Sequence, residues 1–120
     1  MQRNGWVGGW LAAAGAVLAA LAIGLSAYAS HGVADLHARG NLQTASLYAF
    51  AHGAVLVMLA QTPARRLRWL ALGGLLLGTL LFAGSLAAGA LLGWPTGLAP
   101  FGGTLLMASW LLLAIDALRR

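Results

Sequence analysis

The sequence predicts an all-α membrane protein, folded as a bundle of four transmembrane helices. Three observations lead to this fold class: 61% of the 120 residues are hydrophobic, only 8% are charged, and the mean hydropathy is +0.85. A soluble domain keeps about a quarter of its residues charged, because its surface must face water. At about 20 apolar residues per crossing, the length fits four helices with short connections.

Long apolar runs, separated by short polar segments, give the positions of the expected spans. The runs lack the alternation of polar and apolar residues that a membrane β-barrel requires. We therefore expect one membrane domain over residues 1–120, with helical spans at residues 6–29, 44–61, 69–92 and 101–118. The first run is longer than the apolar core of a signal peptide, which is about 7–15 residues, so we expect this run to be retained as a span.

The segment of residues 30–43 joins the first two spans and should form a short interfacial helix or loop. It carries His31, Asp35 and His37, which together are a candidate connector site. His31 and Asp35 would share one face of a helical turn. The spacing matches no strong zinc pattern and the chain has no cysteine, so we expect no metal.

The basic residues indicate which side of the membrane holds the termini. All seven are arginines, and with four spans only Arg39 falls on the side opposite the termini. The other six are Arg3, Arg65, Arg66, Arg68, Arg119 and Arg120. This asymmetry predicts cytoplasmic termini by the positive-inside rule, and it explains the net charge of +5 better than nucleic-acid binding does.

Small residues recur at helical spacing and predict close helix packing. The expected packing glycines are Gly74, Gly78, Gly84, Gly89, Gly102 and Gly103. The first span has a stripe of six small residues: Gly9, Ala13, Ala16, Ala20, Gly24 and Ala27. Small residues let helix backbones approach in lipid. We interpret these residues as packing inside the bundle, with a homodimer seam as the alternative.

His52 is the residue that most suggests a function, because it lies about 12 Å into the second span at 1.5 Å per residue. Ionisable residues at such depth are costly and commonly functional. Thr44, Tyr48 and His52 share one helix face and, with Ser85, form a candidate intramembrane polar site. It would be a proton or ligand pathway or a cofactor ligand. The alternative is a neutral histidine, bonded to Tyr48, Ser85 or a backbone carbonyl, that holds the bundle in register. A haem between His31 and His52 would require both at one depth, which the spans do not provide.

The remaining polar residues argue against an enzyme. Ser85 and Ser109 have no acidic residue nearby in sequence with which to build a hydrolytic triad, and the glycines lie inside apolar helices rather than in a phosphate-binding loop. We expect Asp116 to form an ordinary surface ion pair with Arg119 or Arg120, worth under about 1 kcal/mol.

Several motifs resemble the YgdD-type family of small bacterial membrane proteins. They are Ala29-Ser30-His31-Gly32, Thr44-Ala45 followed by Tyr48 and His52, Leu81-Phe82-Ala83-Gly84-Ser85-Leu86, Pro100-Phe101-Gly102-Gly103 and Ser109-Trp110-Leu111. The family is known as a domain of unknown function, with related small transmembrane proteins in animals. The resemblance covers nearly the whole chain and implies a four-helix protein of the bacterial inner membrane, but no activity.

The same resemblance implies where a shared site would lie and where this chain departs from the family. The matching positions are His31, Gly32, Tyr48, His52, Gly84, Ser85, Gly102 and Gly103. Tyr28 stands where the family often has glycine, and Ala83 replaces a serine typical of the third helix. A site that needs both serines is therefore not expected in this chain.

Three functions fit these observations. The favoured one is a structural or accessory component of the lipid bilayer, with a larger membrane complex or a homo-oligomer as its partner and with no catalysis, cofactor or nucleic acid. The second is a minimal transporter or channel with a polar path at His52 and Tyr48. Small multidrug exporters need a carboxylate within the membrane, whereas Asp35 and Asp116 lie near span ends. The third is a cofactor-binding redox subunit.

Overall fold

The fold is described from a computed structural model, which covers residues 5–62 and 65–119. These residues form four α-helices: α1 (Gly5–Gly32), α2 (Leu36–Leu59), α3 (Arg66–Leu92) and α4 (Ala99–Leu118). The described part of the chain contains no strand, and each helix is long and apolar enough to cross a membrane. The predicted all-α, four-helix fold class is therefore confirmed. Arg3 and Arg120, counted above for orientation, lie outside the described residues.

Successive helices run antiparallel, so the bundle has two ends. The arginine end holds residues 65–68 and 116–119, and the Asp35 end holds residues 33–36 and 93–98. α1 packs on α2, α2 on α3, and α3 on α4, whereas α1 barely touches α3. The two middle helices are therefore α2 and α3, with α1 and α4 on opposite flanks.

The connection between α1 and α2 is a shorter loop than the sequence suggested. α1 continues to Gly32 and α2 begins at Leu36, so most of the expected connector is helical. Asp35 caps α2, because its carboxylate accepts a hydrogen bond of 2.8 Å from the backbone N–H of Ala38. The guanidinium of Arg39 donates from Nε and Nη2 to the carbonyl oxygen of Val33, at 2.9 and 2.8 Å, and closes the loop.

The connection between α3 and α4 combines a glycine stop with a proline start. Gly93 ends α3 in the left-handed conformation, with φ of +70°, where a side chain would be strained. Pro100 lies in the first turn of α4, where its missing N–H leaves no hydrogen bond unmade. These two residues fix the hairpin that sets α3 against α4.

The α1–α2 interface depends on two glycines that the sequence did not single out. A Cβ on Gly15 would lie 2.5 Å from the carbonyl oxygen of Gly53, and a Cβ on Gly53 would lie 2.5 Å from the carbonyl oxygen of Gly15. Both distances are far inside van der Waals contact. The two backbones can therefore approach this closely only with glycine at both positions.

Three of the expected packing glycines lie in the α3–α4 interface. A Cβ on Gly78 would lie 3.0 Å from the side chain of Leu106, and a Cβ on Gly102 would collide with the backbone at Phe82. A side chain at Gly74 would collide with the hydroxyl of Ser109.

The other three expected packing glycines differ in the contacts that a Cβ at each position would make. Gly89 packs under Thr96 in the α3–α4 turn, and Gly103 has only ordinary contacts with the ring of Phe82, at 3.7 Å. Gly84 is exposed, and a Cβ at this position would have no atom of another residue within 4 Å, so its assignment to helix packing is wrong. Its side of α3 faces away from both neighbouring helices.

The stripe of small residues on α1 also faces out of the bundle. All six members are exposed: Gly9, Ala13, Ala16, Ala20, Gly24 and Ala27. We call this surface the outer stripe. α1 instead buries a second set at seven-residue spacing, which is Gly8, Gly15, Ala22 and Ala29. The interpretation of the outer stripe as packing inside the bundle is therefore wrong, because a different small-residue face of the same helix meets α2.

Candidate functional site

His52 is buried in α2, with 7% of its surface exposed, and both of its ring nitrogens are engaged. Nδ1 lies 2.8 Å from the carbonyl oxygen of Tyr48, and Nε2 lies 3.1 Å from the indole Nε1 of Trp110. A carbonyl can only accept and an indole N–H can only donate, so these partners together require the neutral tautomer with its proton on Nδ1. His52 therefore joins the backbone of its own helix to α4.

These contacts can be compared with the two interpretations of His52, which are a proton, ligand or cofactor site and a neutral histidine that holds the bundle in register. The hydrogen bond to a backbone carbonyl is one that the sequence left open, whereas Trp110 was not considered as a partner. Ser85 does not reach His52: its buried hydroxyl makes no hydrogen bond within the described part of the chain. A metal or haem at Nε2 would first have to displace the indole of Trp110.

Four rings from three helices pack together around His52, and we call them the aromatic cluster: Tyr48, His52, Phe82 and Trp110. The ring of Tyr48 stacks on His52, with centroids 5.9 Å apart and planes 11° apart. The ring of Phe82 is tilted against Tyr48 at 4.7 Å, and Trp110 meets His52 edge-on at 5.9 Å. Such ring pairs contribute about 0.5–1.5 kcal/mol each beyond the burial of area, so the cluster holds α2, α3 and α4 together.

The aromatic cluster lines a groove of about 630 Å³ between α2 and α4, here called the aromatic groove. Trp110 is 44% exposed, so the groove opens on the outer, lipid-facing side of the bundle. Its other lining residues include Thr96, Pro100, Gly103, Thr104 and Met107. Of the predicted polar site, the structure brings Tyr48 and His52 into this groove, whereas Thr44 and Ser85 are not part of its lining.

A second groove lies at the Asp35 end and has a polar lining. It measures about 560 Å³ and is lined on one side by Asp35, His37 and Asn41 of the loop and α2. The opposite wall is the end of α3 and the following turn, including Trp94. We call it the polar groove. Thr96 lines both grooves, so the two adjoin at this residue.

The three residues of the candidate connector site do not converge on one point. His31 is exposed near the end of α1, and Asp35 caps α2. Nε2 of His37 lies 3.5 Å from the amide nitrogen of Asn41. Across residues 5–62 and 65–119, no three histidine or acidic side chains are placed to hold a metal ion.

An ion pair at the arginine end is buried, contrary to expectation. Nε of Arg68 lies 3.0 Å from Oδ2 of Asp116, and the two side chains are only 9% and 5% exposed. Nη1 of Arg68 also donates to the hydroxyl of Thr62 at 3.0 Å. The expectation of a surface ion pair at Asp116 is wrong, because α4 turns the carboxylate inward, towards the start of α3. Arg120, one of its two expected partners, lies outside the described residues.

A sequence signal for this pair existed. Asp116 is the only acidic residue of the last helix, and Arg68 lies within the first turn of the helix that precedes it. An antiparallel hairpin places the start of one helix beside the end of the other. The positive-inside count treated Arg68 only as a marker of orientation and so missed its partner.

The four helices are long and apolar enough to cross a membrane, and they assign the chain to the small polytopic α-helical membrane proteins. Two polar features lie within this bundle: the histidine bonded to Trp110 and the ion pair at the arginine end. Residues 25–103 match the family described as "Protein of unknown function (DUF423)", and the chain belongs to this family. The matched segment holds His52, Tyr48 and Phe82 and ends before Trp110. No solved structure matches the chain.

Proposed function

We propose that the protein is a non-enzymatic structural or accessory component of the membrane that associates with a second copy of itself through the outer stripe of α1. The observation that carries this proposal is the exposure of all six small residues of that stripe. A position that faces only lipid gains nothing from a small side chain. Glycine in a helix interior even costs about 1 kcal/mol relative to alanine.

The contact between α1 and α2 supports this use of the outer stripe. On its buried face, α1 approaches α2 until the backbones meet at Gly15 and Gly53. The outer stripe has the same kind of residues, with no Cβ neighbour within 4 Å at Gly9 or Gly24. Small residues at such spacing allow close approach and association by dispersion in lipid.

A second copy is the occupant that this surface favours. A two-fold dimer requires the same patch on both partners, and two flat stripes of small residues are complementary to each other. The outer stripe contains no charged or hydrogen-bonding side chain that would select a different protein. A larger membrane complex is the competing partner.

We further propose that the protein lies in the bacterial inner membrane with its termini in the cytoplasm, and that it is related to the YgdD-type family. Arg65, Arg66 and Arg119 are exposed at the arginine end, whereas Arg39 is the one described arginine at the other end. This asymmetry supports the orientation by the positive-inside rule. The motifs described above support the family relationship.

The transporter and redox alternatives receive less support. Between His52 and the arginine end lies an apolar core that includes Leu56, Leu72 and Leu75, so a polar path would stop at His52. A redox cofactor would have to displace a partner from one of the two engaged ring nitrogens. Ser109 is buried against Gly74 in the α3–α4 interface, and the buried hydroxyl of Ser85 makes no hydrogen bond within the described residues, so neither is paired there with a base.

Disulfide cross-linking in membranes tests the proposed dimer, because the chain has no cysteine and each variant provides a single thiol. Ala20→Cys lies in the middle of the outer stripe, and Leu80→Cys is an exposed control at a similar depth on α3. On oxidation, Ala20→Cys should form a covalent dimer and Leu80→Cys should remain monomeric. Equal cross-linking of the two variants would contradict the proposal. A conjugate of Ala20→Cys with another protein only would favour the larger complex instead.

A further inference from the structure

We infer that the polar and aromatic grooves together form a binding site for one phospholipid with an amine-bearing headgroup, taken from the leaflet at the Asp35 end. The headgroup would lie in the polar groove and one acyl chain in the aromatic groove. This inference is independent of the proposed dimer, since α1 and α4 flank opposite sides of the bundle.

The change in lining from one groove to the next matches an amphiphile. The polar groove offers a carboxylate, an imidazole and an amide from Asp35, His37 and Asn41. Beyond Thr96, the wall of the aromatic groove consists mainly of rings and apolar side chains. A ligand that fills both grooves therefore needs a polar head and a long apolar tail.

The length of the combined groove matches one leaflet. His37 and His52 lie on the same helix and are about 22 Å apart along its axis at 1.5 Å per residue. Half of a bilayer, from headgroup to midplane, measures about 20–22 Å. A lipid with its headgroup beside His37 would thus end its chain beside His52 and Trp110.

The charge at the entrance selects the headgroup. Asp35 places a carboxylate in the polar groove, and Oδ2 of this carboxylate caps α2. A carboxylate repels an anionic headgroup and attracts an ammonium group. Asn41 offers an amide donor to the phosphate of the same lipid. Phosphatidylethanolamine combines both groups, whereas phosphatidylglycerol lacks the amine.

Native mass spectrometry from nanodiscs of equimolar phosphatidylethanolamine and phosphatidylglycerol tests the site. The unaltered protein should retain one phosphatidylethanolamine after loosely held lipids are removed. Gly103→Leu should fill the aromatic groove, because a Cβ at Gly103 meets only the ring of Phe82 at ordinary distances. Retention should fall about tenfold, the effect of displacing roughly two buried methylene groups.

Two further variants separate the chain site from the headgroup site. Gly84→Leu is the matched control, since Gly84 is exposed on α3 and lies outside both grooves. It should retain lipid as the unaltered protein does. Asp35→Asn preserves the helix cap, because asparagine caps as well as aspartate, but it should remove the preference for phosphatidylethanolamine.

Several outcomes would overturn the inference. Equal retention by Gly103→Leu and Gly84→Leu would show bulk annular lipid only. Retention of phosphatidylglycerol in preference to phosphatidylethanolamine would contradict the assigned headgroup. Loss of the lipid in Ala20→Leu would place it at the proposed dimer seam rather than in the grooves, whereas loss of the dimer alone would leave this inference intact.

Discussion

The indole N–H of Trp110 donates a hydrogen bond of 3.1 Å to Nε2 of His52, and so joins α4 to α2. The backbones of these two helices are not in contact with each other. The bond therefore spans the face of α3 and ties the fourth helix to the second. It also fixes the orientation of the imidazole at the floor of the aromatic groove.

Removing either partner of this bond should destabilise the bundle. His52→Leu leaves the indole N–H of Trp110 without an acceptor on the lipid-facing side of the bundle, where no water replaces it, and an unpaired donor of this kind costs about 1–3 kcal/mol. Trp110→Phe keeps a ring in place but leaves Nε2 of His52 unpaired. The unfolding free energy, measured in mixed micelles by circular dichroism, should show that the two single changes are not additive in the double variant. Strict additivity would mean that the bond contributes nothing.

The ion pair between Arg68 and Asp116 should be intolerant of single substitutions. Asp116→Ala leaves a buried guanidinium without its counter-charge, and we expect a loss of about 3–5 kcal/mol in unfolding free energy. Replacing both residues together, as Arg68→Met with Asp116→Leu, should recover most of that loss. The control Arg66→Ala is exposed and should change stability by no more than about 0.5 kcal/mol. A double variant as unstable as Asp116→Ala would contradict this account.

The glycine contact between α1 and α2 predicts that glycine-to-alanine substitutions on the two faces of α1 have different effects on the unfolding free energy. Gly15→Ala places a methyl group against the carbonyl of Gly53 and should cost about 1–3 kcal/mol through overpacking. Within one protomer Gly24→Ala faces outward with no neighbour, so at a dilution where the proposed dimer is dissociated the better helix propensity of alanine should make it neutral or stabilising by up to about 1 kcal/mol. Both variants can be measured by the same micellar unfolding assay. Equal losses would show that the two faces of α1 have been assigned incorrectly.

The cap of α2 predicts a difference between two substitutions of the same residue. Asp35→Ala removes the acceptor for the N–H of Ala38 and should lower stability by about 0.5–2 kcal/mol. Asp35→Asn keeps an acceptor and should be near neutral. Amide hydrogen exchange over residues 36–39 should be faster in Asp35→Ala only. Unchanged exchange in that variant would mean that the cap does not hold the helix end.

The four helices could be predicted from the sequence because lipid imposes one strong rule, which is that a long apolar run must pair its own backbone groups. The rule says little about which side of a helix faces inward. On α1, two faces contain small residues, and only the position of Gly53 on the neighbouring helix decides between them. Hydrophobic patterning cannot resolve this, because both the interior and the lipid are apolar.

The site was predictable only in part, for a similar reason. The depth of His52 followed from its position in the second span. Its bond to Trp110 depends on the register between two helices that are not neighbours, and so does the lining of the aromatic groove. The pairing of Arg68 with Asp116 requires the rotation of α4 about its own axis, which composition does not determine.

The buried ion pair also constrains how the chain enters the bilayer during synthesis. Arg68 is made well before Asp116, so the guanidinium has no carboxylate beside it until the final helix emerges from the ribosome. A buried guanidinium without its carboxylate is costly, whereas the paired charges cost less. The arginine end of α3 should therefore pack against its neighbour only after α4 has been made, and a chain shortened before Asp116 should leave that end of the third helix poorly anchored.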